Sequence, residues 1–207
     1  MSKRIYIPAL LAIAACANAT QIISSTTGLA SPDQTLTFDE VVLPDSTALT
    51  NQYVAFGVTF TSLFYNGCPG CVTTPPDGAK PDIGNFANSD TTTFNASFSI
   101  DFAGPVSGAA FELASNGGPF TLTALLGSTV VDQISVTIDT TAMNGSSGWG
   151  FYGFTGETFD NIQLTANQAL LIDNLQTTAA APEPSTLVLG SGALVLLALS
   201  RKFRRTA

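Results

Sequence analysis

Residues 20–184 contain no segment in which apolar side chains recur with the 3.6-residue period of a helix. Short runs recur instead, in which β-branched and aromatic residues alternate with small polar ones. Such runs cover 36–43, 54–62, 93–102, 106–114, 120–126, 129–138, 150–155, 159–165 and 169–177, broken by Gly, Pro, Asn and Asp. Alternation with period two turns one face of each run to a core and the other to solvent. Nine short strands separated by turns predict an all-β fold, an antiparallel jelly-roll-like β-sandwich. Ala103-Gly104-Pro105 and Leu126-Gly127-Ser128 read as hairpin connections. No repeat at a period of 20–50 residues points to a solenoid or propeller.

Charge then removes whole classes of function. The chain of 207 residues has seven Lys+Arg, fifteen Asp+Glu and no His. Six of the seven basic residues lie near the two ends; between Thr20 and Pro184 Lys80 alone stands against all fifteen acidic residues. A body this acidic repels phosphate backbones, so nucleic acid is not an expected partner. Without His there is no Ser-His-Asp triad, no Cys-His pair and no imidazole base. Without Arg in the body there is no bidentate clamp for phosphate or carboxylate.

Both ends read as addresses. Residues 1–19 have the organisation of a signal peptide: Lys3 and Arg4 give a positive start, 5–15 is apolar apart from Tyr6 and Pro8, and Ala17-Asn18-Ala19 offers small residues for cleavage before Thr20. Ile13-Ala14-Ala15-Cys16 also fits a lipobox, which makes Cys16 a candidate lipidation site, although the A-x-A site favours simple cleavage. At the other end Pro182-Glu183-Pro184 precedes an uncharged stretch, 185–200, and the basic run Arg201-Lys202-Phe203-Arg204-Arg205. The apolar part is short for a membrane span, which needs about 20 residues. The chain thus divides into a signal peptide at 1–19, an ectodomain at 20–180 and a tail at 181–207, with a hydrophobic helix at about 186–200 and a basic end at 201–205.

In that order and place, the triplet, the apolar helix and the Arg-rich terminus resemble the PEP-CTERM sorting signal of exported bacterial proteins, also labelled the ice-binding protein C-terminal domain. The resemblance covers 182–207. It implies that Pro182, Glu183 and Pro184 are the sorting motif recognised by an exosortase-type membrane protease. It further implies a precursor anchored transiently in the inner membrane and a product at the cell surface or outside the cell, among exopolysaccharide and biofilm matrix. The body resembles the uncharacterised β-sandwich ectodomains found upstream of such tails. The likeness rests on Thr37-Phe38-Asp39-Glu40, Phe56-Gly57-Val58-Thr59-Phe60, Ile100-Asp101-Phe102 with Pro105-Val106, and Leu171-Ile172-Asp173-Asn174-Leu175. It implies a shape related to carbohydrate-binding modules.

Several residues are candidates for chemistry. Asp39 and Glu40 open the first predicted strand, and Asp173 and Asn174 sit in the last. These four are candidate calcium ligands, because the first and last strands of a jelly roll often lie together and an oxygen-rich, His-free body suits a hard cation. Such an ion would staple the sandwich; the plainer alternative is that these side chains cap turns. Trp149 and Tyr152, in the glycine-broken run 148–154, and Phe64 and Tyr65 are candidate glycan contacts, since aromatic rings stack on sugars. Alternation places Trp149 and Phe151 on one face and Tyr152 and Phe154 on the other, and one of those faces must be core. Cys68-Pro69-Gly70-Cys71 lies in a polar stretch, 66–92. With no second pair and no His, zinc lacks ligands, and a thioredoxin-like role lacks its βαβ context. In an oxidising compartment a structural disulfide between Cys68 and Cys71 is the expectation.

Catalysis is not expected. The carboxylate pairs Asp39 with Asp173 and Glu112 with Glu157 have no separation fixed by the sequence, and no nucleophile motif occurs. The expected function is an exported cell-envelope or extracellular-matrix protein whose body is a binding or structural sandwich, with exopolysaccharide as the candidate ligand. A purely structural matrix protein and a glycan-active hydrolase are the alternatives.

Overall fold

The computed structural model describes residues 20–67, 72–73, 82–83, 86–89, 96–115, 118–138, 150–168 and 170–180. The strands are β1 (Thr20–Ser25), β2 (Gln34–Leu36), β3 (Ala48–Leu49), β4 (Val58–Thr61), β5 (Leu63–Asn66), β6 (Val72–Thr73), β7 (Asp82–Ile83), β8 (Phe86–Ser89), β9 (Ala96–Ser115), β10 (Gly118–Leu126), β11 (Thr129–Ile138), β12 (Gly150–Ala166) and β13 (Leu170–Ala179). A three-residue 3-10 turn, Val54–Phe56, precedes β4 and ends on Gly57 in the left-handed region, φ 77°. Among the described residues no helix is long and apolar enough to cross a membrane.

Two long strands, β9 and β12, organise the rest. They pair antiparallel along most of their length, and their register slips between Thr155 and Phe159 and again between Phe159 and Asn161. Those bulges bend both strands sharply. Phe98 and Phe111 lie on the same strand, where straight backbone would hold them roughly 40 Å apart; their ring centroids are 6.1 Å apart. Each strand therefore leaves one sheet and enters the other. A front sheet runs β11, β10, the second half of β12, the first half of β9, then β4. A back sheet runs β1, the first half of β12, the second half of β9, then β13, with β2 and β8 on β13, and β5 and β3 beyond β8. β6 and β7 pair with each other outside this network.

The inner faces meet as an apolar core. Phe98, Ile100 and Leu122 come from the front sheet and Phe111, Leu113 and Phe154 from the back, all buried. Phe120 of the front sheet meets Tyr152 of the back edge-to-face, centroids 5.2 Å apart and planes at 88°. Each such ring contributes about 1.5–3 kcal/mol by leaving water. A second, smaller apolar layer covers the outer face of the back sheet, where Leu29 lies with Ile22, Ala110 and Phe151. The Gln176 amide pins that cover: its Oε1 accepts from the Leu29 N–H at 2.7 Å and its Nε2 donates to the Thr27 carbonyl at 3.3 Å.

The expected antiparallel β-sandwich is present, with corrections in its parts. Ala103-Gly104-Pro105 is a corner inside β9, not a hairpin, so 96–102 and 106–114 belong to one strand; likewise 150–155 and 159–165 both belong to β12. Leu126-Gly127-Ser128 does join a hairpin, β10 to β11. The run 36–43 is a strand only to Leu36. Phe38 then takes the left-handed conformation, φ 61°, which drops its buried ring onto Tyr53 and Phe60. The stretch 66–92, read as a polar loop, contains β6, β7 and β8. The signal peptide with Cys16, the Cys68 and Cys71 pair, Trp149, and the tail with Pro182, Glu183 and Pro184 lie outside the described residues.

Candidate functional site

The outer face of the front sheet carries the most regular polar array of the molecule. Thr61, Ser99, Gln163, Thr123 and Gln133 stand in register across β4, β9, β12, β10 and β11. One row along, Ser97, Thr165, Thr121 and Ser135 stand in register across β9, β12, β10 and β11. Paired residues of an antiparallel sheet present their side chains on one face, and the partners of both rows, such as Phe98, Ile100, Leu122 and Leu164, are buried beneath. The longer row spans four strand intervals, about 19 Å. Every member of both rows bears a hydroxyl or an amide and none bears a charge.

Within the array, Gln133 Nε2 donates to Thr123 Oγ1 at 3.0 Å, and the Thr121 and Ser135 hydroxyls lie 3.3 Å apart. A shallow, open groove of about 280 Å³ lies along β9 and β12, with Ser97, Ser99, Gln163 and Thr165 and also Phe98 and Leu164 among its walls. A third row brings the first charge. Asp101 pairs with Thr59 and Asn161, and Asn161 Nδ2 donates to Asp101 Oδ1 at 2.6 Å. A second cavity of about 300 Å³ sits at the corner, where Asp33, Phe56, Gly104 and Pro105 are among its walls. There the Asp33 carboxylate accepts from the Ala179 N–H at 2.9 Å, which ties it to the backbone.

The other candidates are distributed elsewhere. Tyr65 is fully buried in the core and Tyr152 packs on Phe120, so neither presents a ring to solvent; both faces of 150–154 are covered, one by the core and one by Leu29. As sugar contacts these two are corrected. Phe64 is half-buried on the outer face of β5. Glu40 is engaged locally, its Oε1 accepting from the Thr37 N–H at 2.8 Å and the Thr37 hydroxyl at 3.1 Å. Asp173 is buried on β13 opposite Glu112 of β9, and Asn174, at φ 46° in a bulge, donates from Nδ2 to Glu112 Oε2 at 2.9 Å. Asp39 lies exposed beside Glu40. Among the described residues no three Asp, Glu or Cys side chains converge to hold a metal ion.

Tyr53 organises the turn that holds Asp39 and Glu40. Its hydroxyl donates toward the carbonyls of Phe38, at 3.1 Å, and Val41, at 3.3 Å. Burial pushes that hydroxyl well above the ordinary tyrosine range, and the nearby Tyr65, Glu40 and Asp39 push it the same way.

No family model matches the chain, and neither does any curated protein. Solved structures with partial likeness include a family 29 carbohydrate-binding module, at TM-score 0.31 and 15% identity over 61% of this chain and 98% of that one. They also include a family 32 module of a GH31 protein solved with GalNAc, at TM-score 0.33 and 15% identity over 59% of this chain and 99% of that one. The CBM22-1–GH10 modules of a Clostridium thermocellum xylanase solved with xylohexaose follow at TM-score 0.30 and 8% identity, over 66% of this chain and 28% of that one. Likeness of this degree transfers no ligand.

Proposed function

We propose that this is an exported cell-envelope or extracellular-matrix protein whose sandwich binds a polyhydroxylated polymer, an exopolysaccharide, across the outer face of the front sheet. The two in-register rows of uncharged hydroxyl and amide side chains carry the reading. Strands recur every 4.7–4.9 Å, close to the length of one sugar ring in an extended glycan. A chain laid across the strands therefore meets a fresh donor and acceptor at each sugar. No aromatic ring on this face offers stacking among the described residues, so affinity comes from hydrogen bonds worth about 1 kcal/mol each. Five such contacts hardly exceed the 4–15 kcal/mol lost on association. Binding of a single oligosaccharide is then no tighter than about 0.1 M, and useful retention comes from many sites along one polymer.

Export and sorting rest on the patterns at 1–19 and 182–207, with an exosortase-type protease and the inner membrane as partners of the precursor. The body is read as binding rather than catalytic, and what supports this is that Glu112, the one buried Glu among the described residues, accepts from Asn174. A second reading, a structural matrix protein without a specific ligand, is favoured by the groove being open and shallow.

Affinity electrophoresis of the full chain in mild detergent, through gels containing neutral polysaccharides, separates the two. Retardation that is lost in a Ser99→Ala, Thr123→Ala, Gln163→Ala triple variant at an unchanged melting temperature supports the binding face. Unretarded migration in every gel leaves the structural role. Mass spectrometry of the protein from its host tests sorting: a chain starting at Thr20 and lacking Arg205 agrees with it, and an intact tail on surface protein overturns it.

A further inference from the structure

We infer that the glycan held on the front sheet is uncharged, and that polymers rich in uronate, sulfate or phosphate are turned away from it. The inference rests on the binding reading above and narrows its ligand class. Its basis is the distribution of charge around the two rows. The described residues include no Lys, Arg or His. The groups nearest the array are all acidic: Asp101 lies in the adjoining row, beside Ser99 on the same strand. Asp160 lies at the β12 bend, where its carboxylate accepts from the Gly127 N–H at 2.9 Å.

Residues two apart on a strand lie about 6.6 Å apart, so an acidic group bound over Ser99 sits within one Debye length of Asp101 at physiological ionic strength, about 8 Å. At that distance in water the repulsion weakens binding about threefold per ligand charge, before Asp160 is counted. Among the described residues no cation on this face offsets the loss. Recognition of an anionic sugar ordinarily uses an Arg fork or a Lys, and the array offers neither. The hydroxyls and amides of the two rows are matched instead to sugar hydroxyls, which donate and accept alike.

The test uses one polymer in two forms: a neutral β-glucan, and the same glucan oxidised to the carboxylate at its primary alcohols. The full chain is run through affinity gels of each at about 10 mM and about 500 mM salt. Retention on the neutral form at least tenfold stronger than on the oxidised form at low salt, with the gap closing at high salt, is the expected result. Equal or stronger retention on the oxidised form at low salt overturns the proposal while leaving glycan binding intact. No retention on either form removes the binding reading, and the proposal with it. A preference for the neutral form that does not respond to salt also overturns it, because a fit of shape and not of charge would then be at work. Asp101→Asn gives a second reading: about threefold stronger retention on the oxidised glucan, and the same retention as the parent on the neutral one.

Discussion

Gln176 is the side chain whose loss the structure lets us follow most closely. It crosses the outer face of the back sheet to hold the segment between β1 and β2 against Phe151, Ala110 and Ile22. Gln176→Leu keeps the volume and removes both hydrogen bonds. The Thr27 carbonyl, on an exposed residue, turns to water at little cost. The Leu29 N–H is buried and has no such recourse, and a stranded buried donor costs about 1–3 kcal/mol. The better burial of a leucine on this apolar patch returns part of that, and the net loss is about 2 kcal/mol. For a domain of this size each kcal/mol shifts the melting temperature by about 2–4 °C, so a fall of about 4–8 °C is expected. Hydrogen exchange gives the local view: the Leu29 amide loses protection far more than the amides of β9 and β12. Gly28→Ala attacks the same bridge from the other side. A Cβ there would stand 2.3 Å from Gln176 Oε1 and 2.7 Å from Phe151 Cδ1, at a φ of 68° that side chains resist. The double variant loses clearly less than the two single losses combined, because both break one contact. A Gln176→Leu protein that melts within about 1 °C of the parent, with Leu29 still protected, refutes the bridge.

Other expectations follow from single contacts. Gly153→Ala would place a Cβ 2.1 Å from the Ala109 carbonyl oxygen and 2.6 Å from Ala110 Cα, backbone that cannot yield without opening the β9–β12 ladder; a loss of about 3 kcal/mol or more in denaturant titration is expected, and less than 1 kcal/mol contradicts it. The two buried tyrosines respond oppositely to loss of the hydroxyl. Tyr53→Phe strands the bonds to Phe38 and Val41 and costs about 1 kcal/mol, whereas the buried Tyr65 hydroxyl has no partner among the described residues, so Tyr65→Phe is neutral or stabilising by up to about 1 kcal/mol. Because the folded Tyr53 hydroxyl titrates above its unfolded value of about 10, its contribution is complete below pH 10 and declines as pH rises beyond it; Tyr53→Phe flattens that alkaline decline in melting temperature. Gln21 Nε2 donates to Asp132 Oδ1 at 2.9 Å and to the Gln133 carbonyl at 3.1 Å, covering the free edge of β11; Gln21→Ala bares that edge, and sedimentation velocity then shows more self-association than in the parent.

Strand character was legible in the sequence wherever alternation was long. β10 and β11 begin and end within a residue or two of the runs 120–126 and 129–138, because both are half-buried and each alternate residue declares its face. The corner at Gly104-Pro105 was misread because Gly-Pro is also the chemistry of a hairpin turn. What distinguishes the two is whether the next run pairs with the last, and it pairs with β12, some 50 positions on. β1 and β5 escaped notice for lack of pattern, each being a short run with one or two buried residues. The polar rows were half visible. Thr121 and Thr123, or Ser97 and Ser99, show alternation along a strand, but the register that lines them up across five strands is set by contacts far apart in sequence. The aromatic run 150–154 is a strand as its alternation predicts, but alternation gives only one face to the core and does not show that Leu29 and Ile22 cover the other, nor that Gly153 serves a close approach of strands.

The bends in β9 and β12 also fix how the molecule carries mechanical load. Tension applied to the chain beyond Ala180 enters through β13, and a pull along that strand loads its long ladder with β9 in shear, so that its hydrogen bonds share the load. From there the load passes into the front sheet through the covalent backbone of β9 at 103–105, alongside the side-chain packing between the sheets. A sandwich whose layers touched only through side chains would slip at that interface first; here the backbone of β9 itself joins the strand that pairs with β13 to the outer face of the front sheet.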